Sequence, residues 1–496
     1  MNIQNPKYGI TGPATLNEST ADSIELSRKM DSFLRDSDFF ESEDAAQTRE
    51  RVLGKLDFLV KSFVQKMASE DEARSYGGKI FTFGSYRLGV HDKGADIDAL
   101  CVVPRHVSRK DFFSIFYEEL SKDKNISELS KIEEAHVPII KMKFHDIPID
   151  LLFARLNIPV IKEHISLLND SLLKSVDKKC ILSLNGSRVT DLMLTLVPNT
   201  EVFHSALRAI KFWAKRRQIY GNTYGYFGGV AFSICVARVC QMYPNMCSYD
   251  ILCRFFEVFA AWKWPEPVLI TPIIDHSFNL PVWDPKTYPA DKYHKMPVIT
   301  PAYPSMCATY NVTQSTFGMI VSEFKRGNEI LKNGGSLKDL LEYSDFFRRF
   351  KIFIEVHIKS EESEEYKMWE GYIESKIRIL CTKLENLDNI SAAIPFPKAF
   401  RIDCGSSSEE SSVSVNETSA DGHLLEKSKK GTACWFFIAC EISLSKSANK
   451  RIYIDQPIKD FLDFTNSWDL KTKGMSIEIN SRKKKDVQTF LRGFQT

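Results

Sequence analysis

The segment Ala95-Asp96-Ile97-Asp98-Ala99-Leu100-Cys101-Val102-Val103 constrains this chain more than any other. It alternates and then runs apolar, the pattern of a strand, and the period of two turns Asp96 and Asp98 to one face with Ile97 on the other. A second strand pattern, Ile147 to Phe153, carries Asp150 in a similar apolar frame. Three like charges converging in a partly buried place are unfavourable unless a cation stands among them. Hard divalent ions take oxygen ligands and keep positions open for phosphate oxygens, so the set points to phosphoryl or nucleotidyl transfer on a metal pair. An Asp-x-Asp on a solvated edge strand carries no such meaning, so the neighbouring sequence has to decide.

Upstream, Phe83-Gly84-Ser85 precedes Asp96 with ten residues between Ser85 and Asp96. Glycine lets backbone N–H groups approach a polyphosphate, and Ser85 offers a hydroxyl at a predicted helix start, where the dipole favours an anion. Downstream, Arg208, Lys211 and Lys215 fall on one face of a predicted helix, with Arg216 and Arg217 following. Five bases without an acid in ten residues suit a triphosphate or a nucleic acid strand, or equally a solvated helix face. Tyr220 and Asn222 stand close by for a ribose or base, and Gly228-Gly229-Val230 opens the next helical pattern.

The organisation follows from changes of period. Residues 14–75 read as helical, with Thr20 and Asp22 as caps. From Lys79 to Phe153 the texture is that of strands, with a hairpin turning at His145-Asp146 and helical pieces at Ser85 to Gly89 and Arg109 to Leu120. Helix returns over Glu201 to Tyr220, Gly228 to Met242 and Ile251 to Trp262. A proline-rich stretch, Trp264 to Pro304, is too apolar for a loose linker and predicts an ordered extended wrap. Strand-like pieces at Phe346 to Val356 and Leu384 to Phe400 flank a helix, Glu361 to Leu387. The Ser/Glu-rich run 405–431 predicts a disordered loop, Ala433 to Leu444 a strand and Ile458 to Ser467 a helix.

The net charge over 496 residues is +2, so partners must be read from local patches. A composition 43% hydrophobic and 26% charged excludes a mainly disordered, collagenous or fibrous chain. Eleven scattered cysteines with no C-x-x-C spacing read as reduced core thiols of an intracellular protein. Met1 to Pro13 lacks the apolar run of a signal peptide, and no stretch of about 18 apolar residues predicts a membrane span.

The blocks Phe81 to His91, Lys93 to Cys101, Pro104 to Val107, Ile149 to Leu156, Leu184 to Gly186, Leu207 to Arg216, Asn279 to Pro285, Pro301 to Pro304 and Glu374 to Arg378 together resemble the eukaryotic nuclear-type poly(A) polymerases, within the DNA polymerase β-like nucleotidyltransferases. The resemblance covers nearly the whole chain and weakens after about residue 385. It implies an α+β multidomain fold: an α/β nucleotidyltransferase palm, a helical central domain and an RRM-like C-terminal domain. The expected divisions are 1–43 (a helical segment packing with the central domain), 44–157, 158–343 and 344–496, with the insert 405–431 inside the last.

It also implies template-independent transfer of AMP from ATP to RNA 3′ ends, with two Mg²⁺ or Mn²⁺ ions held by the catalytic residues Asp96, Asp98 and Asp150. The implied ATP contacts are Phe83, Gly84, Ser85, Asp92, Lys211, Lys215, Tyr220, Asn222, Gly229 and Val230, and closure of the first two domains is expected to assemble the site. Asp92 departs from the pattern. It stands where vertebrate members have Thr beside the nucleotide, and a carboxylate there either opposes ATP or turns to solvent. No RNP-type aromatic strand is evident in the C-terminal part. The resemblance further implies a monomer working with cleavage and polyadenylation factors, without a membrane. A nuclear location is expected, with Arg482 to Lys485 as an import signal or a phosphate-binding patch. A related uridylyl- or CCA-type transferase and a catalytically silent RNA-binding scaffold remain as alternatives.

Overall fold

The computed structural model describes residues 9–37, 41, 43–68, 77–403, 432–443 and 453–493. The chain forms two compact units. One runs through Phe212 and adds Gly229–Tyr293 and Pro297–Ala308; the other joins Trp213–Gly228, His294–Met296 and the chain from Thr309 onward.

The first unit is built on a mixed five-stranded sheet: β1 (Lys79–Thr82), β2 (Ile97–Val103), β3 (Ile126–Ile132), β4 (Ile139–Phe144) and β5 (Ile147–Arg155), in spatial order β1-β2-β5-β4-β3. The apolar runs explain the order. β2 and β5 are enclosed along most of their length and lie beside each other, parallel, while the polar β3 takes an edge. β4 and β5 form the expected hairpin, with His145 and Asp146 at positive φ in its turn. Helix Glu43–Lys66 buries Val52, Leu56, Val60 and Phe63 in the core of this sheet, where Phe63 meets Phe116 at 4.9 Å between ring centres. Thr20 caps helix Ala21–Asp36 as expected, accepting from the Ser23 amide; Asp22 sits in the first turn instead. That helix is tied by Asp31 to Ser205 and by Ser27 to the Tyr249 amide.

The proline-rich stretch is ordered, but it is not extended throughout: it turns repeatedly and includes a helical turn at Pro289–Lys292. Buried Arg188, on helix Lys178–Leu196, staples it down by donating to the Tyr303 carbonyl at 3.1 Å while also meeting Asp170 and the Leu167 carbonyl.

The second unit carries an antiparallel sheet of β6 (Ile352–Ser360), β7 (Ile390–Pro395), β8 (Phe400–Asp403), β9 (Thr432–Ile442) and β10 (Ser476–Lys483). With helices Ser363–Glu385 and Asp455–Asn466 the chain order is β-α-β-β-α-β apart from the short β8, and the spatial order is β10-β6-β9-β7. That is the RRM arrangement, so the expected fold class holds. One expectation is corrected. Central strand β9 does carry aromatic residues, Trp435, Phe436 and Phe437, and Trp435 stacks on His357 of β6 at 4.5 Å. The face bearing Trp435 and Phe437 is closed by helix Lys484–Arg492, whose Phe490 lies 5.2 Å and 5.5 Å from those two rings. The predicted loop 405–431 lies outside the described residues, apart from which Ala433 to Ile442 falls within β9.

The terminal basic run is folded in. Near the end of β10, Arg482 makes a two-pronged pair with Glu355, and Lys484 donates to the Arg348 carbonyl. The described cysteines form no disulfide, and no helix among the described residues is long and apolar enough to cross a membrane.

Two of the five clustered bases serve the fold of the second unit. Arg217 grips Glu323 with both prongs at 2.9 Å, and its remaining nitrogen reaches the carbonyls of Glu342 and Tyr343. Arg216 lies over the Tyr343 ring and donates to the Leu341 carbonyl. Both are therefore withdrawn from the expected anion surface. Because Arg217 and Glu323 are almost fully enclosed, Arg217→Met should leave the Glu323 carboxylate with only the more distant Arg326, 3.9 Å away, and cost about 3–5 kcal/mol. Urea unfolding followed by tryptophan fluorescence checks this. The double variant with Glu323→Leu should recover much of the loss, and a single-variant loss below about 1 kcal/mol would show that the pair is no clamp.

Candidate active site

The geometry begins with register. β2 and β5 run parallel with Asp98 paired to Asp150 and Ile97 to Ile149, so the two aspartates emerge side by side. Asp96 stands just before β2 begins and is exposed, so it approaches the other two from the strand entrance rather than from within the ladder. The Phe83-Gly84-Ser85 turn closes over this point. The Phe83 amide donates to the Asp98 carbonyl at 3.0 Å, and the Gly84 amide donates to Thr190 Oγ1 at 3.3 Å. Gly84 has φ +63°, and a Cβ there would lie 2.1 Å from Asp98 Oδ2, so position 84 admits only glycine. Phe83 is accommodated in turn by Gly186, where a Cβ would come within 2.6 Å of the Phe83 ring. The helix begun at Gly84 is a single turn, Gly84–Arg87.

The electrostatics follow from this crowding. Burial, then the charges of Asp96 and Asp150, push the Asp98 carboxyl up to about 7, against the pull of Lys141 and Lys211. Burial raises Asp150 as well, opposed by its hydrogen bond to Lys141. Lys141 Nζ lies 2.6 Å from Asp150 Oδ2. Sequence reasoning missed this lysine. Its signal was a cation inside the apolar run Ile139-Ile140-Lys141-Met142, but only the pairing of β4 with β5 sets Lys141 opposite Asp150.

Lys211 is buried, and burial brings its ammonium down to about 8 while Asp96 and Asp98 resist. It donates to the Val90 carbonyl at 3.1 Å and pairs with Asp92 at 2.9 Å. Asp92 thus turns neither to solvent nor to the aspartate cluster but to the expected phosphate-binding lysine. Arg208 supports the same loop, its Nε donating to the Gly89 carbonyl at 3.0 Å. Gly229 and Val230 open helix Gly229–Met242, with Val230 exposed although apolar.

In the second unit, Lys215 lies over the Tyr220 ring at 5.4 Å, and the Asn222 carbonyl accepts from Asn311 at 3.2 Å.

Asp96, Asp98 and Asp150 offer oxygen donors only, and their mutual repulsion is what a hard divalent ion relieves. Among the described residues no three His, Cys, Asp or Glu side chains form a ready-made cage. Lys141 and Lys211 provide the positive charge around the cluster as it stands. The chemistry of the donor set fits such ions, and in this structure Lys141 pairs with Asp150.

Asp98 takes its proton far more readily in the folded chain than in the unfolded one. The fold therefore loses stability as pH rises from the ordinary carboxylate range, near 4, to about 7, with the full loss present above that. Asp98→Asn should consequently melt higher than the parent protein in EDTA, by about 2–4 °C per kcal/mol relieved. The gain should be larger at pH 8 than at pH 5. An equal gain at both values, read by differential scanning calorimetry, would remove charge crowding as its cause.

Three family models match in succession: the poly(A) polymerase nucleotidyltransferase domain over residues 9–197, the poly(A) polymerase central domain over 202–349, and the poly(A) polymerase predicted RNA binding domain over 345–495. The chain is 41% identical to poly(A) polymerase PAPa of Candida albicans, over 98% of this chain and 93% of that one. It is 40% identical to poly(A) polymerase pla1 of Schizosaccharomyces pombe, over 93% of this chain and 89% of that one. A crystal structure of the Cid1 poly(U) polymerase overlays with a TM-score of 0.46 and 15% identity, covering 64% of this chain and 99% of that one. With matching models along almost its entire length and full-length relatives at this identity, the chain belongs to the poly(A) polymerase family.

Proposed function

We propose that the chain transfers AMP from ATP to the 3′ ends of RNA without a template, releasing pyrophosphate. The observation that carries this reading is the register that sets Asp98 beside Asp150, with Asp96 at the entrance of β2 and Gly84 leaving space beside Asp98. The fungal relatives named as poly(A) polymerases support ATP as the nucleotide. Asp96, Asp98 and Asp150 would hold two divalent ions, Mg²⁺ or Mn²⁺, which when bound make the RNA 3′-hydroxyl more acidic and take up charge on the departing pyrophosphate.

The protein's own groups do the rest. The 3′-oxygen bonds to the α-phosphorus as the bond from that phosphorus to the bridging oxygen of the β-phosphate breaks, and the hydroxyl proton passes to a carboxylate oxygen of Asp150. Lys211 presents its ammonium to the phosphates, and that charge, held out of water, acts strongly on the oxygens that gain charge in the transition state. Gly84 keeps space open beside Asp98, and Phe83 and Ser85 line the same approach. Choice of adenine falls to Tyr220, Asn222, Gly229 and Val230, with Lys215 as a further phosphate contact. RNA binding falls mainly to residues 345–495. Nuclear residence, a monomeric state and work beside cleavage and polyadenylation factors belong to the same proposal.

Primer extension on oligo(A) with each labelled nucleoside triphosphate tests it. ATP should be incorporated in clear preference, and preference for UTP or CTP would defeat the adenylyl reading. Asp98→Ala and Asp150→Ala should each lose about 10³-fold or more in rate, the scale of several kcal/mol of transition-state stabilisation. Normal tailing by either would remove the assigned centre. Because Asp98 retains a proton up to about 7, an ion must displace it. The Mg²⁺ concentration for half-maximal activity should therefore fall as pH rises through 7 and level off above it.

A further inference from the structure

Lys211 is about 6% exposed, among the most enclosed charges of the first unit. An ammonium so far from water needs a counter-charge in every state it occupies. Without nucleotide, the Asp92 carboxylate meets it at 2.9 Å, with the Val90 carbonyl completing the contact at 3.1 Å. The loop carrying Asp92 is fixed at several points. The Val90 amide donates to the Ser85 carbonyl at 2.9 Å, the Ala95 amide to the Asp92 carbonyl at 3.1 Å, and Arg208 holds the Gly89 carbonyl. The pair is thus set by the fold around it, and the carboxylate is only about one-fifth exposed.

We infer that Asp92 is the counter-ion Lys211 keeps while the site lacks nucleotide, that the phosphates of ATP must take Lys211 over from it, and that Asp92 thereby sets the affinity for ATP. The inference rests on the reading of Lys211 as a phosphate contact. In the free state the Asp92 charge stabilises the ammonium that the phosphates must capture, and this competition holds ATP affinity down. Asp92 is a positioning residue: it touches Lys211 and acts on the nucleotide through it. The consequence is an enzyme tuned to abundant nucleotide, with a carboxylate that must be outcompeted on every cycle.

The test is equilibrium binding of ATP with Mg²⁺ and no RNA, together with KM and kcat in primer extension. Both are run on the acid side of the Lys211 transition, which lies at about 8. Asp92→Asn and Asp92→Thr should each tighten ATP binding and lower KM by about 5- to 20-fold, with kcat nearly unchanged. Asp92→Glu, which keeps the charge, should bind ATP more weakly than either neutral variant. In a Lys211→Ala background, most of the gain from Asp92→Asn should disappear. Unchanged or weakened ATP binding in both neutral variants overturns the inference, as does a gain that survives without Lys211. A parent protein that neither binds ATP nor incorporates AMP would instead defeat the adenylyl-transfer reading, so the two failures are told apart. Melting curves confirm that each variant is folded, and the Asn and Thr variants provide independent routes to the same answer.

Discussion

Repulsion among three carboxylates is the constraint around which the first unit is arranged. Nothing in the local chemistry of Asp96, Asp98 and Asp150 favours their company, and what holds them together is the apolar run that follows Asp98 and the matching run around Asp150. Ile97, Ala99, Leu100, Cys101 and Val102 on one strand, and Ile149, Leu151 and Phe153 on the other, are almost wholly enclosed. Their burial fixes the parallel register that sets Asp98 beside Asp150. The hydrophobic core therefore supports an arrangement that its own charges oppose, which is the electrostatic ground of the proposed centre.

Positive charge is disposed accordingly. Lys141 comes from a neighbouring strand and Lys211 from a helix, and each answers a different part of the cluster. Gly84 lets the turn before β2 lie against Asp98 without filling the space beside its carboxylate. Removing a side chain at one position and burying a cation at another thus serve one purpose, to keep the aspartates approachable yet not wholly uncompensated.

Much of this was legible in the sequence because it is carried by short-range pattern. The Gly-Ser turn, the spacing to Asp96, the alternation into Val103 and the hairpin at His145-Asp146 are all local, and the structure places each where the pattern does. What escaped was long-range or lacked apolar contrast. Ile126 to Ile132 is not singled out as a strand because it lies at an edge with polar residues facing water. The role of Lys141 depends on which residue of β5 it faces, and that of Asp92 on a helix more than a hundred residues away. The five clustered bases looked alike in sequence, yet Arg217 answers Glu323 while Lys211 answers Asp92. Spacing on a helix gives direction, and only packing gives the partner.

The closed face of the RRM-like sheet has a consequence of its own. Trp435 and Phe437 are engaged with Phe490, so these rings act as cement and are not bare platforms on which bases could stack. A strand of nucleic acid meeting this face would find the two rings already covered by Phe490, so a base could stack there only if the helix carrying it moved aside.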